Sequence, residues 1–88
     1  MDIEFDSTKD EINRQKHNLP LAFGAVVLAN KVGEVEDTRR DYGERRMKAY
    51  AEVNGLWFEC GYTVRGDVVH IFTVHRVRAK EVRKWLSR

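Results

Sequence analysis

Residues 45–74 read RRMKAYAEVNGLWFECGYTVRGDVVHIFTV, and the alternation within this stretch decides the fold. Apolar and polar side chains alternate on both sides of Asn54-Gly55, the dipeptide most typical of a two-residue β-hairpin turn. A second tight turn is indicated at Arg65-Gly66, and another apolar run follows it. The stretch therefore predicts three consecutive antiparallel strands, at residues 45–53, 56–64 and 68–74.

The segment before these strands has the pattern of two helices. Ser7 and Asp10 stand at the spacing of a capping box, which predicts a first helix that ends at about His17. Pro20 and an apolar stripe over residues 19–27 predict a second, amphipathic helix.

Two further elements complete the predicted fold. Weak alternation at residues 32–38 predicts an edge strand, and an apolar stripe over residues 79–86 predicts a C-terminal helix. The predicted class is α+β, with two N-terminal helices, a four-stranded antiparallel meander sheet and a C-terminal helix. A chain of 88 residues has room for one modest core, so residues 1–88 are expected to form one domain.

The composition, 42% hydrophobic and 34% charged, is that of a folded soluble protein. No apolar run approaches the roughly 20 residues of a membrane helix, and the acidic N-terminus differs from a secretory signal. We therefore expect a cytoplasmic protein. Cys60 is the single cysteine, which excludes an internal disulfide and favours a core role. The three histidines lie far apart in sequence, so no metal site is predicted.

The two turns set the strand registers and so assign side chains to faces. If both turns are two-residue loops, Val53 pairs with Leu56, and Tyr62 pairs with Val69. The face opposite the expected core then carries one row across the sheet, formed by Lys48, Gly61 and His70. Strands lie about 4.8 Å apart, so the two cations flank a floor that has no side chain.

Three aromatic side chains are expected near this row: Tyr50, Trp57 and Phe72. With the cations they have the chemistry of a nucleotide site, in which charges bind phosphates and rings stack on bases. The rings also have the chemistry of a second hydrophobic layer or an oligomer contact. The sequence pattern leaves both interpretations open.

Basic residues are unevenly distributed. Residues 64–88 carry seven basic and two acidic side chains, whereas residues 1–63 carry nine basic and twelve acidic ones. Four arginines and Lys48 also surround the Asp41-Tyr42-Gly43 turn, with three acids among them. This segment is either a solvated hairpin or a surface that binds phosphates.

Four blocks of residues stand in order along nearly the whole chain. The first consists of Phe5, Asp6, Lys9, Asn13, Lys16 and His17. The second consists of Asp41, Tyr42, Gly43, Glu44 and Arg46. The third consists of Tyr62, Thr63, Arg65 and Gly66, and the fourth of His75, Arg76, Val77 and Glu81. Together they resemble the pattern of the BrnT toxins of bacterial type II toxin–antitoxin modules.

The resemblance implies a RelE-like fold and a toxin that inhibits translation by cleaving RNA. It implies neutralisation by a BrnA antitoxin, a ribbon-helix-helix DNA-binding protein. The toxin and antitoxin are expected to form a heterotetramer that binds operator DNA through the antitoxin. The family has no known cofactor requirement, so no cofactor is expected.

Some positions depart from the family pattern. His70 and His75 stand where arginines are usual, Phe5 where tryptophan is usual and Asn18 where glycine is usual. The two missing arginines indicate either imidazoles that do acid–base work or an attenuated ribonuclease. Three hypotheses are open for the protein: a ribonuclease toxin, a gyrase-type toxin that binds a protein target, and an inactive relative that still binds an antitoxin.

Strand faces and motif positions together define the expected site, because RNA cleavage needs an acid, a base and cations for the developing phosphorane charge. The expected catalytic residues are Arg46, Arg65, His70, His75 and Arg76. The expected RNA-binding residues are Arg45, Lys48, Tyr50 and Lys80. His17, at the end of the first predicted helix, is interpreted as a helix cap.

Overall fold

The computed structural model describes residues 2–87. Five strands are present: β1 (Asp2–Glu4), β2 (Gly33–Glu36), β3 (Met47–Val53), β4 (Leu56–Arg65) and β5 (Val68–Val77). Three α-helices are present: α1 (Ser7–His17), α2 (Gly24–Ala29) and α3 (Ala79–Leu86). A 3₁₀ turn at Leu21–Phe23 precedes α2, so the predicted second helix is only partly α-helical.

The strands form a single mixed sheet in the order β1-β5-β4-β3-β2. The predicted antiparallel meander of four strands is present as β2 to β5. The prediction of a four-stranded sheet was nevertheless wrong, because β1 adds a fifth strand parallel to β5. A strand of three residues is too short to show alternation, and its partner lies at the other end of the chain.

The two hairpins differ in how well the sequence predicted them. Asn54-Gly55 forms the first turn with positive φ at both residues, and Val53 pairs with Leu56 as predicted. The second turn is Gly66-Asp67 rather than Arg65-Gly66. Tyr62 consequently pairs with Ile71 and not with Val69.

A β-bulge in β5 then reverses the faces of the residues that follow it. Gly61 pairs with Thr73 while its neighbour Tyr62 pairs with Ile71, so Phe72 is an extra residue in β5. The predicted row of Lys48, Gly61 and His70 is therefore wrong, since the row is Lys48, Gly61 and Thr73. Beyond the bulge, Val74 is buried in the core and His75 lies opposite Glu59.

Helices cover parts of both faces of the sheet. On the core face, Gly24 of α2 packs so closely that a Cβ there would lie 2.7 Å from Cδ1 of Ile71. Cys60 is fully buried in this core. On the opposite face, a Cβ at Gly33 would lie 3.0 Å from the δ carbons of Leu86, which places α3 against the β2–β3 edge.

Helix α1 lies along the edge of β5 that β1 leaves uncovered, because β1 pairs only as far as His70. Its N-cap is Asp6 rather than Ser7, and the Asp6 carboxylate accepts hydrogen bonds from two backbone N–H groups. The Asn13 amide donates to the carbonyl of Val74 at 2.8 Å and accepts from its N–H at 3.2 Å. This contact brings the end of α1 beside His75.

Candidate active site

A groove opens on the face of the sheet opposite α2, between the end of α1 and α3. Its lining residues, which define the groove below, are Lys16, His17, Arg39, Lys48, Glu59, Thr73, His75, Glu81 and Trp85. Its volume of about 510 Å³ lies in the range of sites that bind small ligands. Five helices and strands of the fold contribute titratable side chains to this one space: α1, α3, β3, β4 and β5.

Two histidines stack at the α1 side of the groove. The rings of His17 and His75 are 5.0 Å apart with an interplanar angle of 27°. Nε2 of His75 lies 3.6 Å from Oε2 of Glu59, while its Nδ1 is buried and forms no hydrogen bond with any other described residue. Burial lowers the pKa of His17, and the nearby charges of His75 and Lys16 lower it further.

Glu59 is held in position by the sheet itself. The fully buried Tyr50 donates its hydroxyl hydrogen bond to Oε1 of Glu59 at 2.9 Å, which leaves Oε2 facing His75. Burial, with the negative charge of Glu59, raises the pKa of Tyr50, so its hydroxyl stays a donor. The ring of Tyr50 is not accessible for stacking on a base, contrary to its expected RNA-binding role.

Lys48 brings a positive charge into the same groove. The residue is only 7% exposed, and its Nζ lies 3.8 Å from the centre of the Trp85 ring. Gly61 beside it on β4 has no side chain, which leaves room for the lysine chain across the sheet.

A second cleft continues from the groove along the sheet and shares Arg39, Lys48, Glu59 and Thr73 with it. Here the guanidinium of Arg46 lies between two rings, 4.3 Å from that of Tyr42 and 3.9 Å from that of Phe72. Phe72 reaches this cleft from the bulge in β5.

One carboxylate holds two arginines at the second cleft. Glu44 accepts two hydrogen bonds from Arg65, each 3.0 Å long, and one from Arg46 at 3.3 Å. Arg65, and then Arg46, lower the pKa of Glu44, so the carboxylate is ionised at neutral pH. Arginines fixed by a carboxylate present their remaining donors in a defined direction.

Asp37 fixes the loop that leads into this cleft. It is 9% exposed, binds Arg39 through two side-chain hydrogen bonds of 2.9 Å and accepts from the Tyr42 hydroxyl at 3.0 Å. The hydrogen bonds from Arg39 hold the pKa of Asp37 well below its usual range. The acids of this loop therefore orient the cations and Tyr42.

The family model described as "Ribonuclease toxin, BrnT, of type II toxin-antitoxin system" matches residues 5–81 of the 88-residue chain. The chain belongs to this family. The resemblance seen in the four sequence blocks is thereby confirmed. Membership in the BrnT family implies an RNA substrate and an antitoxin partner. No curated protein matches the sequence significantly.

The residues expected to be catalytic in this BrnT chain do not form one cluster. His75 lies in the groove, and Arg46 and Arg65 share Glu44 at the second cleft. His70 lies at the β1 edge, where its Nδ1 is 3.0 Å from Oε1 of Glu4. The bulge separates it from the groove because the register shift occurs between the two histidines.

The remaining expected residues lie around the margins of the groove. Arg76 and Lys80 are exposed and line a surface cleft that also includes Glu59 and His75. Arg45 is exposed and forms an ion pair with Glu36 at 3.1 Å. The ring cluster expected from sequence is not one exposed patch, since Tyr50 is buried and a guanidinium covers Phe72.

Sequence reasoning gave no site role to His17 or Glu59, the two residues of the BrnT groove that lie against His75. His17 was interpreted as a helix cap, although the Lys16-His17 pair closes the first family block. Glu59 belongs to none of the four sequence blocks, and its position opposite His75 depends on the bulge in β5. Within residues 2–87, no three histidine, cysteine or acidic side chains lie close enough to hold a metal ion. Across that same range, no helix is long and apolar enough to span a membrane.

Proposed function

We propose that this protein is a toxin that inhibits translation by cleaving RNA in the groove, with protein side chains as its acid and base and no metal ion. The observation that carries the proposal is the stack of His17 and His75 beside the carboxylate of Glu59. Two imidazoles in contact rarely bind a proton each, because like charges repel at this distance. One neutral and one protonated imidazole is the pair that acid–base cleavage requires.

In this mechanism the ribose 2′-hydroxyl attacks the neighbouring phosphorus atom, and the bond to the 5′ oxygen breaks. His17, with its lowered pKa, accepts the proton of the 2′-hydroxyl. His75, beside Glu59, donates a proton to the leaving 5′ oxygen. The products are a 2′,3′-cyclic phosphate and a 5′-hydroxyl end, and the exchange of protons between the two histidines restores the site.

Cations around the groove bind the RNA phosphates in this proposal. Lys48 and Lys16 line the groove itself and stabilise the charge that develops on the attacked phosphate. Arg46 and Arg65, fixed by Glu44, bind a flanking phosphate in the adjoining cleft. Arg76 contacts the RNA from the rim.

The deciding experiment incubates the purified protein with an end-labelled RNA oligonucleotide in EDTA and identifies the product ends. We expect 2′,3′-cyclic phosphate ends, and a loss of about 100- to 10,000-fold in the cleavage rate for His75→Gln. Glu59→Gln should also slow cleavage. His70→Gln is the matched control, since His70 lies at the β1 edge, and it should cleave at close to the wild-type rate.

Several results would contradict the proposal. Cleavage that EDTA abolishes and Mg²⁺ restores would contradict the metal-free mechanism. If His75→Gln and His70→Gln reduce the cleavage rate equally, the groove is not the site of cleavage. If induced expression stops growth while cellular RNA, free or on ribosomes, stays intact, the gyrase-type alternative replaces it. If growth continues, the protein is an inactive relative.

We also propose a BrnA-like ribbon-helix-helix antitoxin as the partner, in a heterotetramer that binds operator DNA through the antitoxin. Family membership supports an antitoxin partner, and the four sequence blocks support a BrnA type. Light scattering on the co-purified complex should give the mass of two copies of each chain. A 1:1 mass, or an operator complex that forms without the antitoxin, would contradict this arrangement.

A further inference from the structure

Lys48 is a buried cation that has no acidic partner among residues 2–87. Within residues 2–87 its ammonium forms no hydrogen bond and no salt bridge, although the residue is only 7% exposed. Withdrawing an ammonium group from water is costly unless other groups compensate for the lost hydration. The group that meets it here is the π face of Trp85, whose centre lies 3.8 Å from Nζ.

The geometry of this contact is that of a strong cation–π interaction. The distance is well inside the roughly 6 Å limit for such pairs, and tryptophan is the best of the aromatic partners. Partial desolvation in the groove strengthens the attraction further. Lys84 is nearer in sequence, yet its Nζ is 5.6 Å from the ring centre and the residue is exposed.

The indole is itself fixed in place by α3. Its Nε1–H donates to Oε2 of Glu81 one turn earlier, at 3.3 Å. Helix α3 is anchored by the buried Val82 and by Leu86, which packs over Gly33. The ring therefore has a defined position relative to the sheet that carries Lys48.

We propose that Trp85 is a positioning residue that holds the Lys48 ammonium in the groove as a binding site for an RNA phosphate. A π face carries no net charge, so an ammonium–indole pair remains positively charged as a whole, whereas pairing with a carboxylate would cancel the net charge of the site. This inference rests on the proposed function for the identity of the ligand. Trp85 lies beyond residue 81, where the match to the BrnT family ends.

The test measures binding of a fluorescein-labelled 2′-O-methyl RNA oligonucleotide, which cannot be cleaved because it lacks the attacking hydroxyl. Four proteins form a double-mutant cycle: wild type, Trp85→Leu, Lys48→Met and the double variant. We expect Trp85→Leu to weaken binding by about 3- to 30-fold. The double variant should bind no more weakly than Lys48→Met alone.

Two further readouts separate positioning from a merely structural role. Trp85→Phe should restore most of the affinity, because phenylalanine also offers a π face. Lys48→Met should reduce the slope of log affinity against log salt by about one, and Trp85→Leu by less. Trp57→Leu is the matched control, since Trp57 is also half-buried but lies at the end of the β3–β4 hairpin, and it should bind like wild type.

The contact can also be observed without changing Trp85. In the wild-type NMR spectrum, the terminal methylene protons of Lys48 should be shifted upfield by the indole ring, and the shift should vanish in Trp85→Leu. The proposal would be overturned if the chemical shifts of the Lys48 methylene protons are those of an exposed lysine. It would also be overturned if the loss of affinity in the double variant equals the product of the losses in the two single variants, because the two residues would then act independently. Affinities that are equal for Trp85→Leu and Trp85→Phe would also overturn it.

These outcomes are distinct from failure of the proposed function. If the wild-type protein does not cleave RNA but the cycle shows coupling, the phosphate site stands and the ribonuclease mechanism fails. If RNA is cleaved and the cycle shows no coupling, the ribonuclease mechanism stands and Trp85 is not a positioning residue.

Discussion

Replacement of Asn13 by alanine is expected to destabilise the protein by about 3 kcal/mol. Asn13 is 5% exposed, and its side-chain amide replaces a strand partner for Val74 at the open edge of β5. It also donates to the carbonyl of Leu19 at 2.9 Å, which ties α1 to the segment that follows it. Alanine removes all three of these hydrogen bonds and supplies no replacement.

The magnitude follows from which groups lose their partners. The two bonds to Val74 are buried, and each unsatisfied buried group costs about 1–3 kcal/mol. The Leu19 carbonyl is only partly buried, so water compensates for much of its loss. Small domains have free energies of unfolding of about 5–15 kcal/mol, so a loss of about 3 kcal/mol is a large fraction of the total stability. The melting temperature should therefore fall by about 10–25 °C.

The assay is thermal and urea unfolding of Asn13→Ala beside Asn30→Ala. Asn30 is an exposed asparagine whose side chain, within residues 2–87, makes a single hydrogen bond of 2.8 Å to the Val26 carbonyl, so its loss should cost under about 0.5 kcal/mol. Asn13→Asp should remain destabilising, because a carboxylate cannot donate to the Val74 carbonyl. If Asn13→Ala is as stable as the Asn30 control, the amide does not secure α1 to β5, and the placement of His17 beside His75 needs another cause.

Two further predictions concern the floor and the histidine pair of the groove. Gly61→Ala should reduce the stability measured by thermal unfolding by about 1–3 kcal/mol, because the new Cβ would lie 2.8 Å from Cγ2 of Thr73. Adding Thr73→Ser removes that methyl group and should restore most of the lost stability. If it restores none, the clash is not the cause. The pKa of His17 is lowered in the folded state, so the stability that its neutral form contributes is present above its unfolded pKa of about 6.5 and is lost as the pH falls through its folded pKa. In urea titrations between about pH 5 and pH 8, the free energy of unfolding of His17→Gln should therefore depend less steeply on pH than that of the wild type. An unchanged pH dependence would contradict the lowered pKa.

Local chemistry was sufficient to predict much of this fold from the sequence. Asn54-Gly55 allows positive φ at two successive residues, so the first hairpin and its register follow from the dipeptide and the flanking alternation. The extent of α1 follows from its N-terminal capping residues and from the polar residue that ends it, Asn18 in the left-handed conformation. The family also followed from the order and spacing of the four sequence blocks, which the family match over residues 5–81 confirms.

The groove depended on tertiary structure, for two physical reasons. An alternating pattern assigns faces only while the strand is regular, and the extra residue at Phe72 in the sheet moved His75 to the face of Glu59. The second reason is distance along the chain: His17 and His75 meet because Asn13 docks α1 on an edge that β1 leaves open. The sequence by itself therefore determined most of the elements, the first hairpin and the family. Long-range packing decided which side chains share the groove, because that depends on where one bulge and one short strand fall.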